Sequence, residues 1–330
     1  MIGILGEGGT IGSGGIIRPT QGIIRRGGVI AAPDQVVKNY DLTTALPSGA
    51  TFTRASNGQR INASLVTATE TTNAPCFDFN WQTGIARGLY LRPATRLLNL
   101  QSGRVDNATF TKNGFLTPSA PVTGLDGTSS AYRLAESTAT ANRYCETSQV
   151  SILGAETTAT VKAIVKATGS ARIVQLYVYY NSGTFPGRGA CFNLDTLTVG
   201  TTYQINATGF THIGASIVDL GNGWRELTLT VGKGANVTLK AGVGLALTDT
   251  STNVPSYLGD GASGIFVAHQ GVYASADAGI IQSTTGTITQ AVEALTLPIP
   301  DGIWDITTKD THGSTTSRVS VVGGYTVTPR

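Results

Sequence analysis

Charge is what this chain has least of. Asp, Glu, Lys and Arg make up 13% of its 330 residues, about half the share usual in a globular protein. The net charge is only +3 and no basic tract is concentrated anywhere, so the electrostatic footprint of a nucleic-acid binder is missing. Histidine is sparse too. His212, His269 and His312 fall in separate segments, none at a metal-ligand spacing, and each reads as structural. The cysteines Cys76, Cys145 and Cys191 are odd in number, far apart and without a CxxC pair, so they read as buried free thiols rather than a disulfide frame or a zinc site. No apolar run approaches the ~18 residues of a membrane-spanning helix. No GxSxG, HExxH or phosphate-loop signature occurs. The opening GEGGTIGSGG follows no strand and starts no helix, so it is not a dinucleotide fingerprint. No cofactor, metal or catalytic residue is assigned, and no membrane insertion is expected.

What the chain does have is apolar residues, 40% of the total, enough for a sizeable core. From about 105 to 275 they alternate with period two. TATVKAIVKA turns Val161, Ala163 and Val165 to one side. ARIVQLYVYY puts Ile173, Gln175, Tyr177 and Tyr179 on one face and Val174, Leu176, Val178 and Tyr180 on the other. Further strands are expected at 190–194, 211–220, 224–231, 236–247 and 264–273, separated by turns such as Gly221-Asn222-Gly223 and Gly259-Asp260-Gly261. Many strands, short turns and no helical period predict an all-β chain with two packed sheets, a jelly-roll β-sandwich over 105–275. Ahead of it, 34–104 reads as a β lead-in and an irregular segment packed on the sandwich. Residues 276–290 are small and polar and read as a linker. The last block, 291–330, reads as a small β domain with Trp304 and Tyr325 in its core.

Residues 1–33 alternate isoleucine pairs with glycine pairs. That much glycine makes a stable helix costly, and so many isoleucines do not suit a solvated linker. An extended arm lying on another protein fits both features. Ile16, Ile17, Ile23 and Ile24 would fill pockets, while Arg18, Arg25 and Arg26 anchor the ends. The basic residues follow the first apolar run rather than precede it, unlike a signal peptide.

Several phrases occur in a fixed order. Thr51-Phe52-Thr53-Arg54-Ala55-Ser56 is followed by APCFDFNWQTGIARGLYLRPATRLLNL at 74–100, ATFTKNG at 108–114 and LDGTSSAYRLAE at 125–136. Gly221-Asn222-Gly223-Trp224 and then Tyr257-Leu258-Gly259-Asp260-Gly261 close the series. In these phrases the sequence resembles bacteriophage virion proteins of the tail-fibre, tail-spike and head-fibre type, which carry a carbohydrate-binding-like jelly roll. The resemblance covers roughly 50–275. The chain departs from it at Phe110, where a tryptophan is common, and at Ala268-His269-Gln270. The resemblance implies a protein of the virion surface, assembled in the host bacterial cytoplasm and homotrimeric. Its arm would reach tail, connector or capsid proteins. It implies tail-side attachment first, with capsid head fibre, decoration or collar as the alternative.

Sugar binding needs aromatic platforms beside polar groups. Tyr177, Tyr179 and Asn181 form the richest stretch, with Trp224 elsewhere. For each of these, packing in a core or subunit interface competes with a glycan surface. A glycan-degrading enzyme is the third reading. It would need two carboxylates at a set distance, and Asp195, Asp219, Glu226, Asp249 and Asp260 are the ones available. Asp260 reads as a turn residue. Arg54 and Arg96 read as structural clamps on the segment from 50 to 100, with Asp78 a partner in reach.

Overall fold

The computed structural model describes residues 10–11, 15–16, 24–25, 29–30, 37–61, 67–79, 83–92, 94–118, 120–125, 127–181, 185–206, 209–234, 238–276, 280, 283, 287–299, 302–310, 313–321 and 324–327. Every regular element among them is a β-strand. The chain divides into two compact units, one built from 1–51, 88–90 and 295–327 and a larger one from 52–87 and 91–294.

Twelve strands frame the larger unit: β1 Phe110–Asn113, β2 Pro121–Thr123, β3 Ser129–Ala135, β4 Tyr144–Thr147, β5 Thr158–Thr168, β6 Ile173–Tyr180, β7 Gly187–Asn193, β8 Thr198–Ile205, β9 Phe210–Gly221, β10 Trp224–Lys233, β11 Thr238–Ala246 and β12 Gly264–Tyr273. One sheet runs β2-β3-β12-β5-β10-β9, and the other runs β1-β4-β11-β6-β7-β8. The pairs are nested. β3 lies antiparallel to β12, β4 to β11, β5 to β10 and β6 to β7. Early strands therefore pair with late ones, as in one long hairpin rolled up on itself.

The period-two pattern explains why the two sheets meet. Val161, Ala163 and Val165 of β5, Leu227 and Leu229 of β10, and Ile265 and Val267 of β12 join one buried cluster with Val174, Leu176 and Val178 of β6 and Ala241 and Val243 of β11. The face division expected for β6 is the one observed. Tyr180 turns inward and stacks on Phe210 at 4.0 Å. Each Val, Leu or Ile so buried contributes about 1.5–3 kcal/mol.

The stretch expected to be a linker is instead partly structured. Ile288–Gln290 pairs with Thr95–Leu97, which meets β12 through Leu97 and Tyr273. Gln290 and Ser283 are buried, and the Ser283 amide donates to Ser102 Oγ at 3.0 Å. Small polar side chains resemble a linker in sequence, but backbone pairing does not depend on them.

In the smaller unit the C-terminal block does not stand alone. Gly302–Asp310 and Gly313–Val321 form an antiparallel hairpin, and Val37–Asp41 of the lead-in adds to it as a parallel strand. Leu42, Leu89, Leu295, Leu297, Ile299 and Ile306 are buried. Tyr325 is half-buried, and the side chain of Trp304 lies outside the described residues. In the arm, Thr10–Ile11 pairs with Gly15–Ile16 and Ile24–Arg25 with Val29–Ile30, two short hairpins where an extended strip was expected. Ile17, Arg18, Ile23 and Arg26 lie outside the described residues.

Cations, Arg54 and Arg143 buried and Arg96 and Lys112 half-buried, hold the irregular parts of the larger unit. Arg54, 1% exposed, donates to Glu293 Oε1 at 2.7 Å, Cys76 Sγ at 3.1 Å and the carbonyls of Ser56 and Thr71 at 2.8 and 2.9 Å. Its carboxylate partner is thus Glu293, far along the chain, and not Asp78. The other Glu293 oxygen accepts the Arg92 amide at 2.9 Å. Arg96 makes the expected clamp, with both Glu156 oxygens at 3.0 and 2.7 Å. Lys112 Nζ donates to the carbonyls of Val105, Asn107 and Phe110, each at 3.0 Å. Arg143 serves the carbonyls of Ala139 and Tyr257, both at 2.6 Å, beneath the Tyr257 ring. All three cysteines are free and buried, and burial pushes the Cys145 thiol up to about 12.

Removing one member of a buried ion pair strands the other. Glu293→Ala is expected to lower stability in urea denaturation by about 3–5 kcal/mol. Glu293→Gln, which keeps one of the two acceptor oxygens, is expected to lose less.

Candidate functional site

On the outer face of the second sheet, tyrosine rings lie over glycines. Tyr177 of β6 stands opposite Gly189 of β7 and Gly242 of β11. Gly189 in turn faces Tyr203 of β8, and Gly242 faces Glu146 of β4. A Cβ at position 242 would collide with the Tyr177 phenol, and one at 189 with the Tyr203 ring. Glycine at these two places is therefore a packing requirement: each is the floor on which a ring lies flat across a neighbouring strand.

The rings line an open cavity of about 340 Å³, formed by Tyr144, Tyr177, Tyr179, Tyr203 and Phe185, with Asn142, Glu146 and Asn253 as polar members. Tyr177 and Tyr179 lie nearly parallel, at 17° with centroids 6.2 Å apart, and Phe185 stands edge-on to Tyr179 at 75° and 5.8 Å. Floor and wall thus meet in a corner. Phe185 is 45% exposed and held at φ 44°, a left-handed conformation that is costly for a bulky residue and that concentrates at functional sites.

The polar groups are arranged around one carboxylate. Glu146 Oε2 accepts the Tyr179 hydroxyl at 2.8 Å and Oε1 accepts Lys240 Nζ at 3.1 Å. Burial, followed by the Glu146 charge, holds the Tyr177 and Tyr179 hydroxyls well above the usual phenol range, so both stay protonated. Burial does the same to Tyr203, whose enclosed hydroxyl has no hydrogen-bond partner. An enclosed, unpaired hydroxyl lining a cavity is costly unless something else bonds to it.

Of the residues singled out from sequence, Tyr177 and Tyr179 come together here. Asn181 is exposed and donates to Gln149 Oε1 at 2.7 Å, outside the lining. Trp224 is 3% exposed and packs with Ala131, Ile164, Leu220 and Ala268, residues of the other sheet and its surroundings. Neither joins the cavity. Sequence reading missed Tyr144, Glu146, Phe185 and Tyr203. The usable signal was outward glycine in GRGACF and AGVG, two strands that neighbour an outward tyrosine pair.

The carboxylates considered for catalysis are dispersed. Asp195 pairs with Arg172 at 3.0 Å, Asp219 with Arg225 at 2.6 Å and Glu226 with Lys162 at 2.9 Å. Asp260 closes its turn by accepting the Ser263 hydroxyl and the Ala262 and Ser263 amides, which hold its carboxyl down to about 2. None of these, nor Asp249, is among the residues lining the cavity, where Glu146 is the one carboxylate among the described residues. No group of His, Cys, Asp and Glu among the described residues is arranged to hold a metal ion. His212 sits half-buried on β9, and His312 lies outside the described residues. His269 is buried, with Nε2 2.8 Å from the Tyr273 hydroxyl. Burial, then the Lys162 charge, brings its imidazole down to about 3.

An unfolded histidine gains its proton near pH 6.5, whereas folded His269 does so only at about 3. Folded stability is therefore expected to fall as pH drops below about 6.5, by up to about 1.4 kcal/mol per unit, and to level off below the folded value. Melting temperatures taken from pH 7 to 4 are expected to fall less steeply in His269→Gln than in the parent.

No family model matches this sequence, and no curated protein matches it.

Proposed function

We propose that this chain is a non-enzymatic bacteriophage structural protein, a tail fibre, spike or tail-associated component of the virion surface. In this reading the larger unit is a jelly roll that contacts host-surface glycans through the tyrosine cavity, and the N-terminal arm docks on other virion proteins. The nested pairing of β3 with β12, β4 with β11, β5 with β10 and β6 with β7 supports the jelly roll. The ordered phrases between 50 and 275 support the virion setting.

The observation that carries the glycan reading is the cavity itself. Half-buried Tyr179, lying nearly parallel to the buried Tyr177, offers a flat apolar face to the C–H face of a sugar ring. Asn142, Asn253 and Glu146 offer hydrogen bonds to its hydroxyls at the edge. Among the described residues the lining holds a single carboxylate, where two-carboxylate glycoside hydrolysis needs a pair. One small cavity gives weak affinity, and several copies on one particle turn that into useful avidity. The outermost strand β9 exposes Ile213 and Val218, an apolar edge suited to self-association into the expected homotrimer.

The test is binding of the intact protein to a panel of host-surface polysaccharides. Tyr179→Ala, which removes half of the stacked pair, is expected to weaken binding at least about tenfold, the equivalent of ~1.4 kcal/mol. Tyr179→Phe, which keeps the ring, is expected to lose less. No binding to any host glycan would sink the attachment reading. Imaging of intact particles separates the two placements: density for this chain on the tail supports the fibre reading, and density on the capsid lattice replaces it with a head fibre or decoration.

A further inference from the structure

We infer that Glu146 makes this cavity selective for uncharged saccharide residues and closes it to uronic and other acidic sugars. The inference rests on the glycan reading above and specifies its ligand.

Among the described residues the lining holds one charged side chain, the Glu146 carboxylate, and no Lys or Arg. A cation beside it, Lys240, is already committed to Glu146 Oε1 at 3.1 Å. Each Glu146 oxygen has one partner, Lys240 Nζ or the Tyr179 hydroxyl, and a carboxylate oxygen has room for a second. What the carboxylate still needs is a donor. Sugar hydroxyls supply donors, while a sugar carboxylate supplies only acceptors and a like charge. Around Glu146 stand the rings of Tyr144, Tyr177 and Tyr179, whose faces are electronegative. An acidic sugar entering here would lose water, meet a like charge and find no counter-ion, three penalties that act in the same direction. A neutral sugar meets none of them. The selection therefore works by repulsion of the wrong ligand.

The experiment starts from a neutral oligosaccharide that the intact protein binds in the polysaccharide panel. Its affinity is compared with that of the same oligosaccharide oxidised at C6 to the uronate. The parent protein is expected to bind the uronate form at least about tenfold more weakly. Glu146→Gln removes the charge, releases the Lys240 cation and keeps an acceptor for Tyr179, so the neutral-to-uronate ratio is expected to shrink toward about one. Lys240→Met keeps the carboxylate and removes the cation, so the ratio is expected to stay or widen. This second variant serves as well if Glu146→Gln folds poorly. Equal affinity of the parent for both forms overturns the inference and leaves glycan binding intact, as does an unchanged ratio in a folded Glu146→Gln protein. If no neutral oligosaccharide binds at all, the glycan reading fails and the inference goes with it.

Discussion

The apolar layer shared by the two large sheets decides what the other residues of the larger unit are free to do. Val161, Val165, Leu176, Val178 and Val243 are committed to it, and in a strand that commitment fixes the neighbours as well. With Leu176 and Val178 turned inward, Tyr177 and Tyr179 have no choice but the outer face. A slip of one residue in β6 would exchange the two sets. It would drive two phenols into the core and leave two aliphatic side chains where the rings now lie. The cavity is in this sense a second product of core register, and its precision comes from a layer that it does not touch.

This dependence explains what could and could not be read in advance. Period two is a property of one strand, so the faces of β5 and β6 were legible from Val161, Ala163 and Val165 and from the Tyr177/Val178 alternation. Pairing is a property of two strands, and nothing in a single strand names its partner. That Gly242 and Gly189 would flank Tyr177 was therefore hidden, as was the arrival of Glu146 and Tyr203 from strands far apart in sequence. Trp224 carried two readings, a glycan platform and a plug in the sandwich after a tight turn, and its large apolar area is satisfied by burial against Ile164 and Leu220. For Arg54 the need for a partner was legible and its identity was not, because Asp78 is near in sequence and Glu293 is near in space.

A chain so poor in charge spends several of its cations inside. Buried Arg54 and Arg143, and half-buried Lys112, each gather carbonyl oxygens from irregular backbone that has no ladder to satisfy it. Loops of this kind can also be tied by disulfides or by metal ligands, and the described residues show neither a disulfide nor a group of side chains arranged to hold a metal. A side-chain cation does the same work from within the sequence: it is always present, independent of redox state, and as fixed in position as the strand that bears it. Burying a charge is costly, so these side chains define specific loop conformations more than they add net stability.

The nested pairing also sets an order of events. A chain that emerges from the ribosome one end first makes β3 and β4 long before β11 and β12, and although β3 can pair early with β2 and β4 with β1, the inner edge of each waits for a late strand. Arg54 waits longer still, because Glu293 lies 239 residues further on. Early segments must therefore keep apolar faces and one strand edge exposed until most of the polypeptide has been made. Contacts this distant in sequence close slowly. For this protein the vulnerable period is synthesis itself, when a neighbouring nascent chain can offer an open strand the same pairing that its own C-terminal half will supply later.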